Sequence, residues 1–368
     1  MDRPTYIIDP DGEVIIELRN ANPPFAVLDE DTIVNHVQNN VAEPIEEPVE
    51  ESSETSSDSE STGSEHSRTY GGQIKETIGQ KQRNSDEDLT ERRFRIQVSA
   101  KHLTLVSPVF KKMLTGGWKE NVALLQKGSV EIIAEGWDIE ALLILLRVMH
   151  CQHNHVPRKL SFEMLAKVTV LADYYECRDA MGVFTDIWIK ALEHKIPTTY
   201  SRGLIMWLWI SWFFQLSSLF QEATSTAMSL SNGRIDNLGL PIPDKVLESM
   251  NDCRELCIDN IVILLHEKQD ALLSGIQGCS FECSSIMYGA LTKQIQSNRL
   301  LSPRPVAPFL RLNYKQLVQS LLSFQSPQWS SQAYSTVSPF HSCDYSSFES
   351  IFGQLNDSID GLQLDSLI

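Results

Sequence analysis

Cysteine and histidine are the residues of this 368-residue chain whose types and spacing could do chemistry. Cys253 and Cys257 stand four apart, as do Cys279 and Cys283, so four thiolates could serve one zinc ion. The spacing puts the first pair on one helical face, whereas structural zinc usually takes its first pair from a knuckle of shorter spacing. A stripe shared with Val246, Met250 and Leu264 instead makes Cys253 and Cys257 small apolar core residues. His150, Cys151, His153 and His155 crowd the end of a helix that starts near Asp138. Neighbours on an irregular turn rarely converge on one ion, and a helix C-terminus favours histidine through its dipole. No metal and no cofactor is expected.

Catalysis lacks a constellation. The sequence has no glycine-rich phosphate loop and no GxSxG elbow, and HEKQD at His266 lacks the second histidine of a zincin motif. A binding protein is expected rather than an enzyme. Its formal charge of −17 is placed unevenly. Residues 1–93 hold 22 acids against 8 bases, a net of −14, which leaves −3 for the rest. No basic stripe stands out, so nucleic acid is not an expected partner.

The elements around these residues are well marked. In 94–98, Phe94, Ile96 and Val98 alternate with Arg95 and Gln97, the period of a half-buried strand. Leu103, Val106, Phe110 and Met113 follow at the spacing of one helix face, and 130–133 forms a second strand. Met164, Val168, Leu171 and Tyr175 make an apolar stripe with Ser161 as its N-cap. Ala180, Phe184, Ile187, Trp188 and Ala191 make the next. Residues 14–18, opened by the Asp11-Gly12 turn signal, make an earlier strand.

Three of these stretches together resemble a BTB (POZ) domain. VSAKHLTLVSPVFKKML carries Leu103, Ser107, Pro108 and Phe110 where the family's first-helix pattern has them. GSVEI followed by WDIEALLILLRVMH resembles the family's next strand and helix, and LSFEMLAKVTVLADYYECRDAMGVF its closing helical pair. The chain as a whole is similar to BTB proteins of filamentous fungi. The resemblance implies an α+β fold in which the first strand, within 1–20, pairs directly with 94–98. The segment 21–93 is then an insertion inside the domain, and the BTB core occupies 94–196. An all-α domain over 197–324 and a serine-rich tail over 325–368 would follow.

The same resemblance implies a protein–protein adaptor or scaffold that self-associates. Some BTB adaptors recruit a cullin ubiquitin-ligase scaffold through a hydrophobic-x-Glu motif in the loop after the first helical pair. Trp118 and Glu120 match that motif. The function is expected to be such binding, as a cullin substrate adaptor or alternatively as a transcriptional cofactor.

Within the insertion, 43–65 has nine acids, no bases and almost nothing apolar, so it is expected to be disordered. Thr55, Ser57, Thr62 and Ser85 each precede an acid by three positions, as acceptors of an acidophilic kinase do, or as any acidic serine tract does by composition. Residues 204–214 (LIMWLWISWFF) fall short of the roughly 20 apolar residues a membrane span needs, and read as a buried helix. With no signal peptide at the start and cysteines suited to a reducing interior, an intracellular location in cytoplasm or nucleus is expected. The tail has Phe348, Ile351, Phe352, Leu355, Ile359 and Leu362 at helical spacing, which predicts a helix that folds only on contact.

Overall fold

Val14, Ile16 and Leu18 are fully buried because a period of two aims every second side chain of a strand at the same layer of helices. The computed structural model describes residues 3–27, 93–192, 196–330, 340–341 and 346–367. Its strands β1 (Tyr6–Ile7), β2 (Val14–Arg19), β3 (Phe94–Val98) and β4 (Val130–Glu135) form a sheet in the order β1-β3-β2-β4. Strand β2 pairs antiparallel with β3, with Val14 opposite Val98, and parallel with β4. The pairing of the first long strand with 94–98 is the one expected. The acidic tract and Thr55, Ser57, Thr62 and Ser85 lie outside the described residues.

The helix face expected from Leu103 to Met113 is broken in two, α1 (Ala100–Val106) and α2 (Pro108–Thr115). Pro108 has no N–H to continue α1 but fits the first turn of α2. The Ser107 hydroxyl accepts from the Phe110 N–H and donates to the Tyr175 carbonyl at 2.6 Å. One side chain thus caps a helix and ties it to the turn after α5. The chain continues through α3 (Lys119–Lys127), β4, α4 (Ile139–Met149), α5 (Phe162–Tyr174) and α6 (Arg178–Ala191). Helix α4 is buried at every position from Ala141 to Leu146, the mark of a helix covered on all sides. Ser161 caps α5 by accepting from the Met164 N–H, as expected.

Beyond residue 196 come α7 (Arg202–Phe213), α8 (Ser217–Leu230), α9 (Asp244–Leu273), α10 (Phe281–Ser297) and α11 (Tyr314–Leu322). The 204–214 run forms α7, which packs on α5 and α8, and the Trp209 indole donates to Thr169 Oγ1 at 2.9 Å. Among the described residues no helix is long and apolar enough to cross a membrane. The sheet and these helices share one hydrophobic cluster, and the described residues belong to one compact unit.

Within the tail, β5 (Trp329–Ser330) and β6 (Phe340–His341) pair antiparallel. One expectation needs correcting here. The buried face of α9 runs through Val246, Met250, Arg254, Ile258, Ile261 and Leu265. Cys253 and Cys257 lie half-buried at its border rather than in the core. The fully buried Arg254 interrupts the apolar pattern by which a sequence marks a buried row.

Candidate functional site

Gly116 and Gly117 end α2, and the next residue, Trp118, takes the N-cap position of α3. The cullin-type motif therefore opens a helix, where a loop was expected. Glu120 falls in the first turn, where a carboxylate meets the positive end of the helix dipole. Its side chain is largely covered, with Lys119 Nζ at 3.7 Å. The indole of Trp118 is 65% exposed, and Val122 and Leu125 continue its row at i+4 and i+7. None of the nine residues of α3 is fully buried. A helix that turns Trp118, Val122 and Leu125 to solvent and meets the core only through the half-buried Ala123 and Leu124 is a surface element available for contact. Leu105 of α1 is 84% exposed and lines a groove of about 520 Å³ with Pro108, Lys111, Asp173 and Arg178.

The four cysteines weighed together in the sequence do not meet. From Cys257 to the end of α9 at Leu273 the helix carries the chain about 24 Å, at about 1.5 Å per residue. Cys253 and Cys257 are hydrogen-bonded to each other, which holds the Cys253 thiol down to about 7 and pushes Cys257 up. Cys279 and Cys283 instead gather with His341. Cys279 Sγ lies 3.3 Å from His341 Nε2, and all three ligand atoms are within 4.8 Å of one another.

Backbone geometry builds this cluster. After α9 the chain passes through Gly275 and Gly278 at φ +75° and +107°, conformations that side chains rarely allow. A Cβ at Gly278 would come within 2.9 Å of Ser284. Only glycine lets the chain fold this tightly over the start of α10, which brings Cys279 beside Cys283. Ser280 caps α10 by accepting from the Cys283 N–H. The β5–β6 register sets His341 opposite Trp329, and their rings pack at 4.4 Å between centroids. Sequence reasoning missed His341 because 58 residues separate it from Cys283 and no local spacing marks it. Cys343 lies outside the described residues.

The histidines after α4 diverge. His150 is buried against the stacked ring of His102, and its Nε2 accepts from the Ser99 N–H at 3.0 Å. That bond requires the proton on Nδ1, which donates to the Leu146 carbonyl at 2.7 Å. Both ring nitrogens are thus engaged within the fold. His153 packs edge-on against Phe184, and Cys151 and His155 are exposed. Burial pushes the His150 pKa below its ordinary 6.5. The unfolded chain therefore binds this proton first, and stability is lost as pH falls below about 6.5. The thermal midpoint should drop between about pH 7.5 and about pH 5.5, and His150→Asn should flatten that drop. Equal slopes in both proteins would contradict the assignment.

No protein-family model, no curated protein and no solved structure matches this chain.

Proposed function

We propose that the protein is a self-associating, non-enzymatic adaptor built on a BTB-type domain, and that it contacts a cullin-type scaffold through Trp118 and Glu120. The observation that carries this reading is the exposed row of Trp118, Val122 and Leu125 along α3, a helix with no fully buried side chain. The order of elements supports it. Paired strands β2 and β3, the helices α1 and α2, then β4, α4 and the pair α5 and α6 follow the sequence of pieces that the BTB resemblance implies. An exposed aromatic flanked by a covered carboxylate suits a pocket-filling anchor with a polar contact at its rim. A transcriptional cofactor that engaged its partners through the tail would first have to free Phe348 and Phe352 from the core.

The test is co-purification. Trp118→Ala with Glu120→Ala should abolish capture of the cullin by the tagged full-length protein. Stability should fall by no more than about 1 kcal/mol, chiefly from the loss of the Glu120 carboxylate at the helix N-terminus. Self-association, read by light scattering, should stay as in the parent protein. A double variant that still captures the cullin sinks the contact, and a monomer at every concentration sinks self-association.

A further inference from the structure

We propose that Cys279, Cys283 and His341 bind a zinc ion, which ties the β5–β6 strand pair to the first turn of α10. The distances suit the ion. Zinc bonds of about 2.3 Å to sulfur and about 2.0 Å to nitrogen place tetrahedral S···N edges near 3.5 Å and S···S edges near 3.8 Å. The 3.3 Å between Cys279 Sγ and His341 Nε2 lies close to the first, and the 4.8 Å bound on every pair leaves a short adjustment for the second.

Donor chemistry selects the metal class. Two thiolates and an imidazole favour zinc over calcium or magnesium, which take oxygen ligands. Cys283 stands in the first turn of a 17-residue helix, where the dipole favours the thiolate a metal needs. His341 is held by the Trp329 ring with its Nε2 toward the sulfur of Cys279. Three protein ligands leave a fourth position for water or another donor. Each thiol that binds gives its proton to solvent, so affinity falls as pH falls.

The ion would also supply what the strand pair lacks. Each strand is two residues long, and an isolated two-stranded ribbon is marginal in water. A bond from β6 to α10 anchors that ribbon to a helix whose Cys283, Met287 and Leu291 are buried in the core.

The experiment uses the reduced full-length protein, stripped with chelator and titrated with cobalt(II). The expected result is a thiolate-to-cobalt charge-transfer band that saturates at a single equivalent and disappears when zinc is added. Cys279→Ser and His341→Ala, at an exposed and a half-buried position, should each weaken cobalt binding by about 100-fold or more, the upper end of the loss from an outer-shell partner alone. Cys253→Ser, on the distant stretch of α9, should leave the titration unchanged. Zinc should raise the thermal midpoint of the parent protein and not that of His341→Ala. No band in the parent protein, or a band that survives both ligand substitutions, would overturn the site. So would a Cys279–Cys283 disulfide that persists under reductant and excludes cobalt.

Discussion

Arg254→Met should destabilise the protein by about 4 kcal/mol or more, although methionine keeps the apolar stem of arginine and suits a core better. Arg254 is fully buried, and its guanidinium donates to the carbonyls of Pro308 at 3.1 Å, Phe309 at 3.1 Å and Leu312 at 2.7 Å. Its Nε reaches the Ser231 carbonyl at 3.4 Å. One side chain thus satisfies the Pro308 and Leu312 carbonyls, which would otherwise be left unpaired, and shares the Phe309 carbonyl with the Leu312 N–H. This connection runs through Phe309 and Arg311 at φ +52° and +64°, so it has no regular ladder of its own. Each acceptor left unpaired costs about 1–3 kcal/mol, and water at the exposed Leu310 and Arg311 recovers only part of it. In a domain of this size the loss corresponds to a fall in thermal midpoint of roughly 10 °C. Arg254→Lys keeps the charge but not the fork, and should recover less than half of the loss. A methionine variant within about 1 kcal/mol of the parent protein would mean that 308–312 finds its partners elsewhere.

What could be read from the sequence follows from range. The alternation in 94–98, the Ser161 cap and the apolar run that becomes α7 are local signals, and each corresponds to an element of the structure. The break at Ser107 was also local, since Pro108 stood in view, but the continuous apolar spacing across it outweighed the proline. Helix α3 has no legible period in the sequence because only Ala123 and Leu124 of its apolar residues pack on the core, while Val122 and Leu125 face solvent. Trp118 and Glu120 were therefore identified as residues without the helix that presents them. The Arg254 network depends on Ser231, 23 residues away, and on carbonyls 54 to 58 residues away, and the Cys279–Cys283 pair gains His341 from 62 residues beyond Cys279. No window of local periodicity contains such partners.

The tail gives the second large effect. Its expected helix through Leu362 is only α12 (Phe348–Phe352), after which the chain runs irregularly along α8 and ends in a 3-10 turn at Leu364–Ser366. Phe348 and Phe352 are buried, and Phe352 meets Phe324 edge-on at 5.8 Å. Hydroxyls of α8 replace the helical ladder from there on. Ser225 Oγ donates to the Ile359 carbonyl at 2.6 Å, Ser229 Oγ accepts from the Ile359 N–H at 2.8 Å, and Thr224 Oγ1 accepts from the Leu362 N–H at 2.9 Å. A helix could not offer those groups, because its own carbonyls would already hold them. Gly361 permits the approach, since a Cβ there would overlap the Gln221 carbonyl. Phe352→Ala should cost about 3–5 kcal/mol. Gly361→Ala should release the segment beyond Ile359 while leaving α12 seated. Hydrogen exchange separates the two, with amides of 359–362 losing protection in Gly361→Ala and α12 keeping its own. Because every one of these contacts lies within one chain, the parent protein should keep its protection at any concentration. Protection that vanishes on dilution would place the tail on a second copy instead, and a Gly361→Ala variant with unchanged exchange would remove the close approach to α8.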